Sequence, residues 1–434
     1  MDIYSCQEAF GASDKTTSAM RDAINQWYSL YYRDTVENGE DPCQRIAYTV
    51  VSKLVRTAFA EYAATAEKEA AQAVLHALDA VREQAVAQAL VGGECYLKPW
   101  ISGEGFAFTV IPRNNLLVFG RDAMGEPTDV GTMERSALGN AYYTLLEHRT
   151  VDEKGYLTIE NRLYRSLNAD SLGSPVLLGS HPAYKELADC YTYEAPVGSV
   201  GLVRLKTPML NCVDGSPDGV SVYAAAVGLI RALDQNEYQL SGEFERGQSR
   251  VFVSADLLDG KALKDNVFVG LDEAPDRVGI TVFSPELRVD AYLQRKQEYL
   301  RNLESLLGIK RGLLCDANLD QRTATEISAS ETEHALTVMD FQNMWQAAAE
   351  KAVALCRCLG TLYGMAAAEG AVRFDWGNGV LYDEEKRWED YKQMVQMGLI
   401  SPEMALGWRF GMPAETPQER EKIRQRFMPT EVDA

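Results

Sequence analysis

Residues 323–359 contain neither Gly nor Pro. A capping box, Thr323-x-x-Glu326, stands at the front of this stretch, a pattern in which two side chains satisfy orphan N–H groups at a helix start. The spacing predicts a single helix of about 55 Å, at a rise of about 1.5 Å per residue. Its apolar stripe is Ile327, His334, Val338, Phe341, Trp345, Ala352, Leu355 and Leu359. A ridge of that length has to be buried against something, and no other feature constrains the chain as strongly.

The flanking sequence predicts an α+β chain. Asp41 followed by Pro42 reads as a helix start, with Ile46, Val50, Leu54 and Ala58 recurring behind it. An alanine-rich helix is expected over residues 63–90, with Val74, Leu78, Val81 and Ala85 on one face and Gly92-Gly93 as its stop. From Glu94 to about Lys206 the period changes to two, as in Phe106, Phe108 and Val110. Residues 142–149 and 156–165 form a hairpin by pattern, joined through a polar turn at 152–155. Helix returns over residues 221–247, carrying Val222, Ala226, Leu229, Leu233, Tyr238 and Leu240. Short strands follow at 251–253, 267–269 and 278–283, separated by Gly260 and by Pro275-Asp276. Ser284-Pro285-Glu286 restarts helix, with Leu293, Leu300, Leu303 and Leu307 along it and Gly308 breaking it. The tail, residues 383–427, reads as short helices starting at Asp383 and at Ser401-Pro402-Glu403.

Composition and motifs exclude much. A chain of 434 residues with 46% hydrophobic residues has ample core for two or three domains. A formal charge of −20 argues against a protein that wraps nucleic acid, which needs a basic surface to release phosphate counterions. The longest apolar run, residues 223–230, is far short of the roughly 20 residues of a membrane span. The first residues, MDIYSCQEAFGASDKTT, lack the basic start and apolar centre of a secretory signal, so synthesis in a cytoplasm is expected. The eight cysteines (Cys6, Cys43, Cys95, Cys190, Cys212, Cys315, Cys356, Cys358) are too sparse for a disulfide scaffold. Cys356 and Cys358 point to opposite sides of a helix and cannot share a metal. The four histidines, His76, His148, His181 and His334, are scattered. No phosphate loop, dinucleotide fingerprint, nucleophile elbow, H-E-x-x-H or C-x-x-C pattern occurs. Glu147 and His148 sit side by side on a strand, facing opposite ways, and make a poor acid–base pair. His334 on the long apolar stripe reads as a packed or interface residue. No catalytic residue, metal ligand or cofactor is expected.

The order of parts carries the remaining information: helix, compact β insertion, second helix, a loop of about fifteen residues, then a far longer helix. One subunit offers limited room to cover such ridges, and packing against further copies around an axis is one solution. The segments Gly219-Val-Ser221-Val-Tyr223, Ala232-Leu-Asp234, Glu243-Phe-Glu245-Arg246-Gly247 and Arg250-Val-Phe-Val253 resemble the stem-to-clip region of tailed-phage portal proteins of the siphophage type. Arg322-Thr-Ala-Thr-Glu326, with Ser328 and Ser330 behind it, resembles the start of that family's long helix, and residues 292–308 resemble its second stem helix. The similarity runs from about residue 40 to 410 and rests on the joint order of segments.

The resemblance implies a wing at 1–219, with helices over 41–90 and β structure over 94–210. It implies a first stem helix at 220–247, a small clip at 248–284 and a second stem helix at 285–307. A tunnel loop at 308–322, a long kinked wing helix at 323–366 and a helical crown at 367–434 complete it. It further implies a non-enzymatic ring, usually of twelve copies, at one capsid vertex. Double-stranded DNA would pass through without sequence readout, driven by a separate terminase. The ring would also meet a head-completion or adaptor protein, capsid and scaffolding proteins, and no membrane. Assembly would occur in the bacterial cytoplasm and the product would reside in the virion.

Within this frame residues 288–322 carry seven bases and five acids, whereas 323–366 carry two bases and five acids. Weak phosphate contacts are therefore expected first at Lys310 and Arg311, then at Arg295 and Lys296, although the same residues suit salt bridges between subunits. The subunit interface is expected at Leu293, Leu300, Leu303, Leu307, Val338, Phe341 and Trp345. Two other readings stand beside this one: an acidic soluble enzyme with an unrecognised site, and a helical adaptor or scaffold without a pore.

Overall fold

A computed structural model describes residues 3–32, 43–103, 105–247, 250–253, 267–269, 280–283, 286–316, 324–366, 368–377, 384–414 and 416–427. In chain order the elements begin with α1 (Ser5–Phe10), α2 (Ser18–Tyr32), α3 (Ile46–Ala58), β1 (Ala63–Ala66) and α4 (Glu69–Gly92). A β region follows: β2 (Glu94–Ser102), β3 (Gly105–Pro112), β4 (Leu116–Arg121), β5 (Pro127–Leu138), β6 (Ala141–Val151), β7 (Leu157–Ser166), β8 (Ser174–Val176), β9 (Cys190–Thr192) and β10 (Val203–Lys206). Then come α5 (Val227–Arg246), β11 (Arg250–Val253), β12 (Val267–Val269), β13 (Ile280–Phe283), α6 (Val289–Leu306) and α7 (Ala324–Leu362). The chain ends with β14 (Val372–Asp375), α8 (Glu384–Gln396), α9 (Pro402–Arg409) and α10 (Pro417–Phe427).

The contacts divide the chain into two units, one of residues 1–58 and 64–374, the other of 59–63 and 375–434. In the larger unit, β4-β5-β6-β7-β8 form a sheet in that order, with β9 also pairing β7. The expected hairpin is β6 and β7, antiparallel from Val151 against Leu157 to Tyr142 against Ser166. A smaller sheet, β10-β2-β3, lies against α4. The strands between the two expected stem helices form their own sheet, in which β11 runs parallel to β12 and antiparallel to β13. Trp27, Leu54, Leu75, Leu78, Leu90, Phe341 and Trp345 are buried at the centre of the unit. On α4 the expected face holds for Val74, Leu78 and Ala85. That helix ends where Gly93 takes the left-handed conformation, φ 82°, which costs a residue without Cβ nothing.

Three boundaries differ from expectation. Residues 63–66 form strand β1, paired with β14, so the alanine-rich helix starts only at Glu69; a partner so far along the chain leaves no local trace. Residues 221–226 do not begin the helix in the regular α form. The Val222 amide and the Ser221 hydroxyl donate to the Leu90 carbonyl at 2.9 and 3.0 Å, satisfying a group that the end of α4 leaves open. A 3₁₀ turn at Ala224–Ala226 then leads into α5. Helix α6 starts at Val289, a few residues later than expected. The starts expected at Asp41-Pro42, Ser284-Pro285, Thr323 and Asp383 fall outside the described residues. The start at Ser401 is present, with Pro402 in the first turn of α9.

The smaller unit contains α8, α9 and α10. Tyr391 stacks on Trp408 and Phe410 on Phe427, and the buried Glu403 carboxylate pairs with Arg424 at 2.6 Å. Phe59, Tyr62 and Trp376 form an aromatic cluster in the same unit.

Candidate functional site: the helical hairpin and the charges at its root

The hairpin is α5 against α6. Ile230, Leu233 and Leu240 are buried on the first helix, and Leu300 and Leu303 on the second. Polar contacts complete the seam: Lys296 to Glu237 at 3.0 Å, Arg288 to Glu243 at 2.8 Å, and the Asn236 side-chain amide to the Tyr292 carbonyl at 3.2 Å. Gln44, just ahead of α3, fastens the hairpin to the body. Its backbone N–H donates to Asp234 at 3.1 Å and its side chain to the Leu233 carbonyl at 2.8 Å.

Where the chain enters the hairpin, a buried charge cluster holds residues 217–219. The Glu94 carboxylate, fully enclosed, pairs with Arg113 at 2.9 Å and Arg204 at 2.5 Å, and accepts from the Gly219 amide at 3.2 Å. Asp218 receives both Arg113 at 3.0 Å and Arg121 at 2.7 Å. Burial by itself would push the Glu94 carboxyl upward; the guanidinium charges of Arg204, Arg113 and Arg121 outweigh it and hold the group at about 2. Gly93 and Gly219 make this approach possible: a Cβ on Gly219 would lie 2.2 Å from the Gly93 carbonyl oxygen.

A second buried cluster ties β2 to the large sheet. Lys98 reaches Glu134 and Glu147, the latter at 3.2 Å, and Arg149 reaches Glu147 at 3.3 Å. Burial opposes ionisation of Glu147, but Arg149 and Lys98 prevail and hold it well below the usual carboxylate range. His148 faces the other side of the strand and pairs with Asp129 at 2.8 Å. Among the described residues there is no group of three or more His, Cys, Asp or Glu placed to hold a metal ion. No helix among them is long and apolar enough to cross a membrane.

The residues expected to meet DNA take up contacts within the chain. Lys310 pairs with Glu331 at 2.8 Å, both about half exposed, and Lys296 with Glu237 across the hairpin. The Arg295 Nε donates to the Tyr299 hydroxyl at 2.7 Å, and its guanidinium lies over that ring. Arg311, next to Lys310 in sequence, is exposed. Lys310 and Lys296 thus form salt bridges within the chain, where the expectation placed them between subunits.

The residues expected at the subunit interface are mostly packed within the chain itself. Leu300, Leu303, Leu307, Val338, Phe341 and Trp345 are all buried inside the single chain, Phe341 and Trp345 completely. Only Leu293 is exposed, at 46%. Helix α7 is sheltered by α3, α4 and β10 of the same chain, which cover the described part of its apolar stripe. His334 belongs to that core at 6% exposure, with burial and then the Lys310 charge pushing its pKa down. The apolar groups presented outward are others: Tyr238 and Phe244 on α5, Leu306 on α6, and Leu336 and Met339 on α7.

Sequence reasoning passed over Glu94, Arg113, Arg204, Asp218 and Glu304. Glu304 had one signal, its place beside Leu303 on the apolar side of α6. The others had none, because isolated charges in strands and loops read as solvated.

Over residues 65–425 the sequence matches the family described as "Phage portal protein, SPP1 Gp6-like". No match was found among curated proteins. A solved structure, "Neck of native GTA particle computed with C12 symmetry", is similar to this chain at a TM-score of 0.50 and 12% identity. The likeness covers 94% of this chain and 97% of that one. The fold is thus one also found in the neck of a GTA particle. The chain belongs to the phage portal protein family.

Proposed function

We propose that this protein is a portal subunit and forms a ring at one vertex of a phage capsid. The observation that carries this reading is the family match over residues 65–425; the C12 symmetry of the similar particle neck supports a ring of twelve. The α5–α6 hairpin serves as the stem, the β11–β13 sheet as the clip and the helices after residue 375 as the crown. Double-stranded DNA passes through the channel during packaging and ejection without sequence readout, with Lys310, Arg311, Arg295 and Lys296 near its path. The terminase large subunit, a head-completion protein, and the capsid and scaffolding proteins dock on the ring, which is built in the bacterial cytoplasm and ends in the virion. Its role is structural and calls for no cofactor.

Top-view electron microscopy of the purified protein tests this reading, together with light scattering. Twelve 48.2-kDa chains give a particle of about 580 kDa with a central hole. A strict monomer at high concentration, or rods in place of rings, would refute it.

A further inference from the structure

The segment after α6, residues 308–316, is fastened from three elements. From α6, the Glu304 carboxylate, fully buried, accepts from the amides of Gly312 at 3.1 Å, Leu314 at 2.6 Å and Cys315 at 3.0 Å, and from the Cys315 thiol at 2.9 Å. Gln297, also on α6, accepts from the Asp316 amide at 2.8 Å. From α3, the Lys53 ammonium donates to the Leu313 carbonyl. From α7, the Thr337 hydroxyl donates to the Gly308 carbonyl at 2.9 Å, and Glu331 meets Lys310 at 2.8 Å. Gly308 and Gly312 take left-handed backbone angles, φ 60° and 89°, which let the segment fold back onto the carboxylate.

These fastenings are unequal. The Lys310–Glu331 pair is half exposed on each side and is screened by water. Glu304 is shut away from solvent and is the acceptor for three otherwise open amides; charge-assisted bonds in a low-dielectric site are the strong ones. We propose that residues 308–316 form a latch, in which Glu304 pins the segment so that α6, α3 and α7 are held as one body. The first part of the expected tunnel loop is then fixed structure, and releasing the carboxylate frees it without unfolding its neighbours. Glu304 is a positioning residue, and the proposal holds for the single chain, independently of any ring.

The test is hydrogen exchange by mass spectrometry on the full-length protein, with limited trypsin cleavage after the exposed Lys310 and Arg311. Glu304→Gln keeps the shape but turns one acceptor oxygen into a donor facing donors. Exchange across 312–315 is expected to rise on the order of 10- to 100-fold, and cleavage at 310 and 311 to accelerate, with the β5–β7 sheet unchanged. Thr337→Val, which loosens only the Gly308 end, should leave 312–315 protected. Equal acceleration across α3, α6 and α7 would overturn the latch, making Glu304 an ordinary core residue, as would no change at 312–315. Should Glu304→Gln fail to fold, the wild-type protein decides. Amides 312, 314 and 315 must then be protected like those of α6; exchange within seconds refutes the proposal.

Discussion

Replacing Glu94 by Gln isolates one buried charge. The amide keeps nearly the same volume but leaves Arg113, fully buried, and Arg204, 7% exposed at its side chain, with only Asp218 and the half-exposed Glu126 as counter-charges. In the folded chain the Glu94 carboxyl sits at about 2, against an ordinary 4.5. A difference of that size is worth about 3 kcal/mol at neutral pH, at about 1.4 kcal/mol per unit. The sign follows from the depression: the contribution is complete above the unfolded value of 4.5 and is lost as pH falls toward the folded value near 2. At pH 3.5 about 2 kcal/mol should remain. Stranding a buried charge generally costs about 3–5 kcal/mol, so the two routes agree. Urea unfolding of wild type and Glu94→Gln, followed by tryptophan fluorescence at several pH values, measures the difference directly. Carboxylates away from this cluster titrate alike in both proteins and cancel. A difference below about 1 kcal/mol at pH 7, or one that stays flat down to pH 3.5, refutes the reasoning.

Further outcomes follow from burial. Leu303→Ala should destabilise the isolated chain by about 2–5 kcal/mol, whereas Leu293→Ala on the same helix should cost under about 0.5; equal small costs in urea melts would return the stripe to a subunit interface. Gly219→Ala forces a Cβ to 2.2 Å from the Gly93 carbonyl, and a loss of roughly 1–3 kcal/mol is expected; an unchanged melting temperature would show that the approach is looser. Burial pushes the Cys6 and Cys356 thiols up to about 12. A thiol reagent at pH 8 should therefore label the exposed Cys190 and Cys212 at once and spare Cys6 and Cys356 until denaturant is added; fast labelling of Cys356 in the native protein would contradict its burial.

The stripe of α7 shows what periodicity can and cannot say. Val338, Phe341, Trp345, Ala352 and Leu359 are recognisable as one apolar face, and each is buried. Nothing in the spacing says whether the cover comes from the same chain or from another, since both present the same apolar surface to the helix. Here α3, α4 and β10 supply it. The basic residues behave alike. A count of charges locates Lys296 and Lys310 on the more basic of the segments 288–322 and 323–366, yet their partners, Glu237 and Glu331, lie well away in sequence. Pairing across that distance is set by which elements meet.

From its residues alone the chain determined most helices and strands, the hairpin of β6 and β7, the order of helix, small sheet, helix and long helix, and through that order the family. Those signals are local: a capping group, a glycine stop or a period of two acts within a turn or a few residues. Tertiary structure alone decided that residues 63–66 pair with 372–375 and that the α6 and α7 leucine and aromatic faces are sheltered within one subunit. It also decided that Glu94 and Glu304 are enclosed. Placing a carboxylate in the interior costs several kcal/mol unless donors converge on it, and for Glu94 those donors come from segments that only the completed fold brings together.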